Sequence, residues 1–412
     1  MGIGRSLWQA VPVTTPPDGL RLPSPRHRWW AVPLAGLALV AAAAPLVTSF
    51  VPTRFFVEKT RCNEYDISVQ PPVCVDQVTE PVQYALVPAD AEPVAPRLSV
   101  NGTEVYDRES SIYFVTIREP GISVLDWFVT RKHEATELLS RVDKFGDQTP
   151  QQLIDLGQLQ MRTAKDNAVY VALSVAGVDV TLQPGKLIIG SLLCLRANLE
   201  RTECLEYSPA DEVLDPGDVI TGVNGTPIAT VDDLRPILDD LQPGDVVQVE
   251  FERDGETMSG EVETILAPGE DPARTIIGFT PIDTTTILLP DGVEVSLDTD
   301  KIGGPSAGLA FTLTLLDRLT EGSLTGGAKV AVTGTINLDG TVGPIGGLAA
   351  KAKAVQQTGV KYFLVPTAQG DEQIAYAQSV VGDDVRIVPV ADLAEALAFF
   401  TDELGGDPIL LP

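Results

Sequence analysis

The chain has 412 residues, of which 44% are hydrophobic and 21% charged, with a formal net charge of −28. That length allows two or three domains with cores of their own. The acidic balance argues against nucleic acid or anionic lipid as a main partner, because phosphate contacts need basic patches. Only two histidines occur, His27 and His133, so a histidine zinc site is disfavoured, and a Ser-His-Asp mechanism in the folded part has His133 alone to draw on.

Residues 1–28 carry Arg5, Arg21, Arg26 and Arg28 against Asp18. Residues 29–51, "WWAVPLAGLALVAAAAPLVTSFV", contain no charge, and their length suits a bilayer span with Trp29 and Trp30 at the interface. The arginines place the N-terminal tail in the cytoplasm and everything after 51 outside it. A cleaved signal peptide ending near "AAAA" at 41–44 is the alternative; it leaves the rest equally extracytoplasmic. Cys62, Cys74, Cys194 and Cys204 have no CxxC spacing. Their closeness in pairs favours two local disulfides, Cys62–Cys74 and Cys194–Cys204, in an oxidising compartment, with buried free thiols as the other reading.

Residues 52–165 read as a β-rich extracytoplasmic region. The prolines of "PADAEPVAPR" (88–97) predict a linker or loop. "SIYFVTI" (111–117) is an apolar run of strand type, and the polar stretch around 134–165 is helical. Residues 166–266 are more specific. A short helix at 209–214 precedes a turn at Pro216 and Gly217 and the strand "DVITGV" (218–223). Asn224 and Gly225 signal a hairpin. A helix over 231–241 and the strand "VVQVEFERDG" (246–255) follow. This order resembles a PDZ domain, which implies a groove that accepts an extended peptide as an added strand. The best candidate for its carboxylate-holding glycine loop is "PGKLIIG" (184–190), with 191–207 as an insertion.

From 270 to 405 the pattern alternates strand and helix. Ser306, in "IGGPSAG", precedes a small-residue helix, so it reads either as a helix cap or as a nucleophile. Lys351 shares a helix face with Leu348 and Val355, where a lysine either snorkels out or is buried and loses its charge. A neutral amine can take the proton of a serine hydroxyl. Gly303, Gly304 and Gly308 let a backbone approach, the helix start offers N–H donors to an oxyanion, and Thr333 on the preceding strand is placed to orient the amine.

"GGPSAG" (303–308), "TGTINLDGTVGPIGG" (333–347) and "LAAK" ending at Lys351 resemble the proteolytic domain of Lon-type serine proteases. The whole order resembles bacterial membrane-anchored proteins that join a PDZ domain to a Lon-like domain. The resemblance implies an α+β protein with an N-terminal transmembrane helix, a β-rich region, a PDZ domain and a C-terminal Lon-type α/β domain. It implies Ser306 as nucleophile, Lys351 as general base and Thr333 as the supporting hydroxyl, with Gly304, Pro305 and Ala307 shaping the backbone around the serine. It also implies polypeptide substrates and a hexameric ring. Two positions depart from the family pattern: Gly303 and Thr335 stand where many Lon proteases carry acidic residues. No G-x-x-x-x-G-K-[ST] loop occurs, so no ATP use and no cofactor are expected. The reading is thus an ATP-independent serine endopeptidase; the alternative is a catalytically silent adaptor that binds misfolded exported proteins through its PDZ domain.

Overall fold

The computed structural model describes residues 47–66, 73–106, 111–145, 150–197, 204–267 and 274–409. The chain divides into two compact units, Met1–Phe50 and Val51–Pro412. Of the first, only 47–50 are described, as a turn of helix. The expected span at 29–51 lies almost wholly outside the described residues, among which no helix is long and apolar enough to cross a membrane.

Along the second unit come β1 (Glu58–Asp66), β2 (Val73–Pro93), β3 (Ile112–Arg118), α1 (Val124–Thr130) and the long α2 (Pro150–Val175). Then follow β4 (Leu187–Leu192), β5 (Val219–Val223), α3 (Val231–Asp239), β6 (Val246–Arg253), β7 (Glu256–Glu263) and β8 (Phe279–Asp283). The last part holds α4 (Gly308–Leu319), β9 (Val330–Val332), α5 (Leu348–Thr358), β10 (Tyr362–Pro366), α6 (Asp371–Val381), β11 (Arg386–Val390) and α7 (Leu393–Leu404).

One sheet runs β1-β2-β3-β9-β10-β11, with Glu137–Ser140 also paired to β2. Strands β3, β9, β10 and β11 are parallel, and β9 and β10 are covered on both faces, which is why their sequences are apolar runs rather than alternating ones. Helices α2, α4 and α7 share one core through Met161, Ala168, Leu173, Leu309, Leu313 and Phe400. On a second core, α5 and α6 bring Ala352, Val355 and Ala377 to Phe363 and Val365. All but one residue of α4 are buried, so it reads as a continuous apolar stretch and not as a stripe.

Three boundaries differ from the sequence reading. Residues 52–165 are not a separate region: Ile112, Tyr113 and Phe114 of β3 pair with Val330, Ala331 and Val332 of β9 at the centre of this sheet. The expected linker at 88–97 is largely strand, since β2 continues to Pro93. Its prolines sit where they cost least, Pro88 at a register shift against β3 and Pro93 at the end. Finally, α2 crosses the expected boundary at 165/166 and packs on α4.

The PDZ-like module is a second sheet, β7-β6-β5-β4-β8, with Thr226–Pro227 beside β5. Its own core contains Leu187, Leu214, Ile220, Val249 and Phe251. It extends past 266 to include β8. Chain enters and leaves it through two antiparallel strands, Thr181–Gln183 and Thr286–Leu288, with Gln183 opposite Thr286. The module is therefore an insertion in a single α+β body.

Candidate active site

Ser306 sits on the loop between the strand Glu294–Leu297 and α4. It is not the helix cap: α4 begins at Gly308, the cap position is Ala307, and no side chain makes a cap bond there. Glycines permit the loop. Gly304 holds φ +87°, which a side chain resists. A Cβ on Gly308 would lie 2.9 Å from Ile336 Cγ2 and 3.0 Å from its backbone nitrogen, so only glycine lets α4 start this close to the sheet. The Gly304 N–H donates to the Gly157 carbonyl of α2 at 2.8 Å. Gly303 meets the same turn of α2: a Cβ there would lie 3.1 Å from the Gly157 carbonyl carbon.

The end of β9 is stitched to the serine. Gly334 N–H and Thr333 Oγ1 both donate to the Ser306 carbonyl, at 2.9 and 3.1 Å. Lys351, one turn into α5, is 2% exposed and does not snorkel. Its face is the one expected, since Leu348, Ala352 and Val355 are all buried with it. Lys351 Nζ lies 2.8 Å from Ser306 Oγ and donates to Thr333 Oγ1 at 3.2 Å. Burial pushes its pKa from 10.5 down to about 7. The hydrogen-bond directions orient the amine. Thr333 spends its proton on the Ser306 carbonyl, so its oxygen accepts from Lys351. A neutral Nζ that donates there turns its lone pair toward the Ser306 hydroxyl.

Ser306, Thr333 and Lys351 are thus brought together from a loop, a strand and a helix, with Gly304, Pro305 and Ala307 around the serine. His133 lies exposed in the turn after α1; the hydroxyl of Ser306 faces Lys351 instead. The N–H groups of Ser306 and Ala307 have no acceptor among the described residues. There, no cluster of three or more His, Cys, Asp or Glu side chains is set to hold a metal ion.

The stretch expected as a carboxylate-holding loop is a strand. The "LIIG" of "PGKLIIG" begins β4, which is paired on both edges, to β5 and to β8. It has no free edge for a third strand. The sheet ends on β7 and on β8, and the edge beside α3 is β8. Among the described residues nothing pairs with its outer side, and Pro281, which has no N–H to give, is compatible with an edge. Helix α3 lies alongside: Val231 N–H donates to Asp283 Oδ2 at 3.1 Å, and Thr275 Oγ1 to the Leu241 carbonyl at 2.9 Å. At the head of β8, Gly278 takes φ +104°. Its carbonyl accepts from Leu193 N–H and from Ser208 Oγ. The residues missed are Ile277, Gly278 and Phe279, in "TIIGF"; a glycine between apolar residues ahead of a strand was the available signal. The Cys194–Cys204 disulfide closes a hairpin that leaves β4 beside this turn. The side chains of Cys62 and Cys74 lie outside the described residues.

Residues 287–401 match the model of the Lon protease (S16) C-terminal proteolytic domain, and residues 202–264 match the PDZ domain. Related proteins include the Lon protease of Neorickettsia sennetsu, 36% identical over 96 residues, which are 23% of this chain and 11% of that protein. The Lon protease of Vibrio parahaemolyticus is 37% identical over 94 residues, 23% of this chain and 12% of the relative. The chain therefore spans only a small part of the relatives it matches. Among solved structures, the PDZ domain of an SdrC-like protein from Listeria monocytogenes is 20% identical, covering 26% of this chain and 95% of that one, with a TM-score of 0.19. The protein is a mixed α+β chain that joins a PDZ domain to a protease-type domain. That C-terminal domain is of the Lon proteolytic kind.

Proposed function

We propose that the chain is an ATP-independent serine endopeptidase that cuts unfolded or exposed segments of extracytoplasmic or membrane proteins. The observation that carries this reading is the 2.8 Å approach of Ser306 Oγ to a buried lysine whose pKa is pushed down to about 7. At neutral pH much of that amine is uncharged. It takes the Ser306 proton as Oγ attacks the peptide carbonyl carbon. The oxyanion forms at the start of α4, where the N–H groups of Ser306 and Ala307 and the helix dipole favour negative charge. The ammonium of Lys351 then gives its proton to the leaving amine, which departs and leaves an acyl-serine. A water, deprotonated by the same lysine, cleaves that ester and restores both groups.

The edge of β8 beside α3 supports peptide capture by strand addition, with backbone bonds supplying affinity. The groove and the nucleophile belong to one polypeptide, so a segment held at β8 has a raised effective concentration at Ser306.

The test is casein cleavage by the full chain without ATP, beside Ser306→Ala and Lys351→Met, with folding followed by circular dichroism. Loss of cleavage in both folded variants supports the reading. Equal cleavage by all three overturns it, and binding of unfolded protein without cleavage by the parent chain points to the adaptor.

A further inference from the structure

We infer that the face formed by the turn Thr53–Phe55 and helix α1 is a lipid-docking surface, inserted into the headgroup region of a bilayer containing anionic phospholipid. This adds to the proposed membrane location and rests on it only for which bilayer is met.

The two elements form one platform. Segment 51–53 runs antiparallel to 122–124: Val124 N–H donates to the Val51 carbonyl at 2.9 Å, Thr53 N–H to the Ile122 carbonyl at 3.3 Å, and Pro52 bridges Ser123. Thr53 and Ile122 are buried beneath, and Trp127 packs inward against the cluster of Val82, Ala85 and Ile122. The opposite face is apolar yet open. Phe55 and Phe56 are 65% and 71% exposed, Phe128 and Val129 60% and 57%. Aromatic rings left in water at this density mark an interaction site.

The cations set the chemistry of the partner. Arg54 lies over the Phe55 ring at 4.8 Å, and Arg131 over Phe128 at 4.5 Å and Trp127 at 4.8 Å. Lys132 is exposed beside them. Asp126, the acid on α1, is committed to the Ser123 backbone N–H and hydroxyl. Exposed Glu58 and Glu134 flank the same elements, yet in a chain of net charge −28 Arg54, Arg131 and Lys132 gathered beside exposed rings are a local exception. Rings at acyl depth with guanidinium groups at phosphate depth is the arrangement of an interfacial surface. Chain continuity makes the same point. The uncharged segment 29–51 ends at Val51, whose carbonyl is itself bonded to the first turn of α1.

The experiment uses the full chain in vesicles of phosphatidylcholine and phosphatidylglycerol, with a nitroxide at Phe55→Cys or Phe128→Cys and a reference at Met258→Cys on β7, labelled without reductant. Collision with oxygen and with a water-soluble nickel chelate reports depth, and flotation after alkaline carbonate reports a span. The inference expects oxygen-to-nickel accessibility at 55 and 128 several-fold above that at 258. Labels in lipid on a chain that carbonate strips off would keep the docking surface and overturn the span. Aqueous labels on a carbonate-resistant chain would keep the span and overturn the docking surface. Failure to associate with vesicles also overturns docking. So does dipolar broadening at 128 that disappears on dilution with unlabelled chain, because a second copy would then cover the patch.

Discussion

At the scale of single residues, the site depends on a lysine held without a countercharge. Desolvation is the only cause of its shift, so its titration follows one group. Peptidase activity is expected to rise with pH through about 7 as Nζ loses its proton, and a kcat–pH profile checks this. Stability moves in the same direction. The unfolded chain holds the lysine proton up to its ordinary value of 10.5, the folded chain only to about 7. The cost of burial is thus absent above 10.5, grows as pH falls, and levels off below about 7. Lys351→Met is expected to abolish activity, by about 10³-fold or more, while stabilising the fold at neutral pH and flattening its pH dependence. Thermal unfolding at pH 7 and pH 10 measures both. Gly308→Ala is expected to cost roughly 1–3 kcal/mol and to lower kcat, because its Cβ meets Ile336 backbone that cannot yield. Denaturant titration beside kinetics reads the two effects. The chemistry at this scale was legible in sequence: Ser306 between Gly304 and Gly308, and Lys351 on an apolar face. Whether that lysine was neutralised or snorkelled was not, since exposure depends on what packs over α5.

At the scale of elements, helix α2 supports the serine loop from behind. The Gly157 carbonyl accepts from Gly304 N–H, and a Cβ on Gly303 would crowd the same backbone, 3.1 Å from the Gly157 carbonyl carbon. This gives a physical reason for the first departure from the Lon pattern. An acidic residue at 303 would have to displace the backbone of α2. Gly303→Asp is therefore expected to lower kcat at unchanged KM, a split that steady-state kinetics on a short peptide resolves. Helix α3 was readable to within two residues, expected over 231–241 and found over Val231–Asp239, and helices stand after Ser306 and around Lys351 as read. Strand partners were not readable. "PGKLIIG" has the composition of a glycine loop, and its becoming a strand with two neighbours is a matter of pairing with residues 219–220 and 279–283, which no local signal reports.

At the scale of the whole molecule, the catalytic body is discontinuous in sequence. Removing residues 52–165 deletes β3 from the centre of the sheet and β1 and β2 from beyond it. A fragment beginning at 270 is expected to be insoluble or unfolded, which expression and circular dichroism check. The PDZ module should be removable instead. Because Gln183 faces Thr286 across an antiparallel pair, joining these strands through a two-residue Asn-Gly turn closes the gap. That deletion is expected to retain cleavage of a short peptide and to lose preference for captured longer chains, as competition between the two substrates would show.

The sequence by itself determined the local chemistry of this protein: the serine loop, the lysine helix, the order of PDZ elements and the acidic surface. These rest on residue type and short spacing, which act over one turn of helix or one hairpin. Only the tertiary structure decided that the strands between Glu58 and Arg118 complete the sheet behind the serine loop, that the PDZ module is an insertion, and that the edge beside α3 is β8. Those outcomes are set by hydrogen bonding and burial between segments far apart in the chain, as where Val330 pairs with Ile112 and Phe279 with Leu192. Such contacts form when separate apolar runs find a common core, and a single sequence carries no mark of which runs will meet.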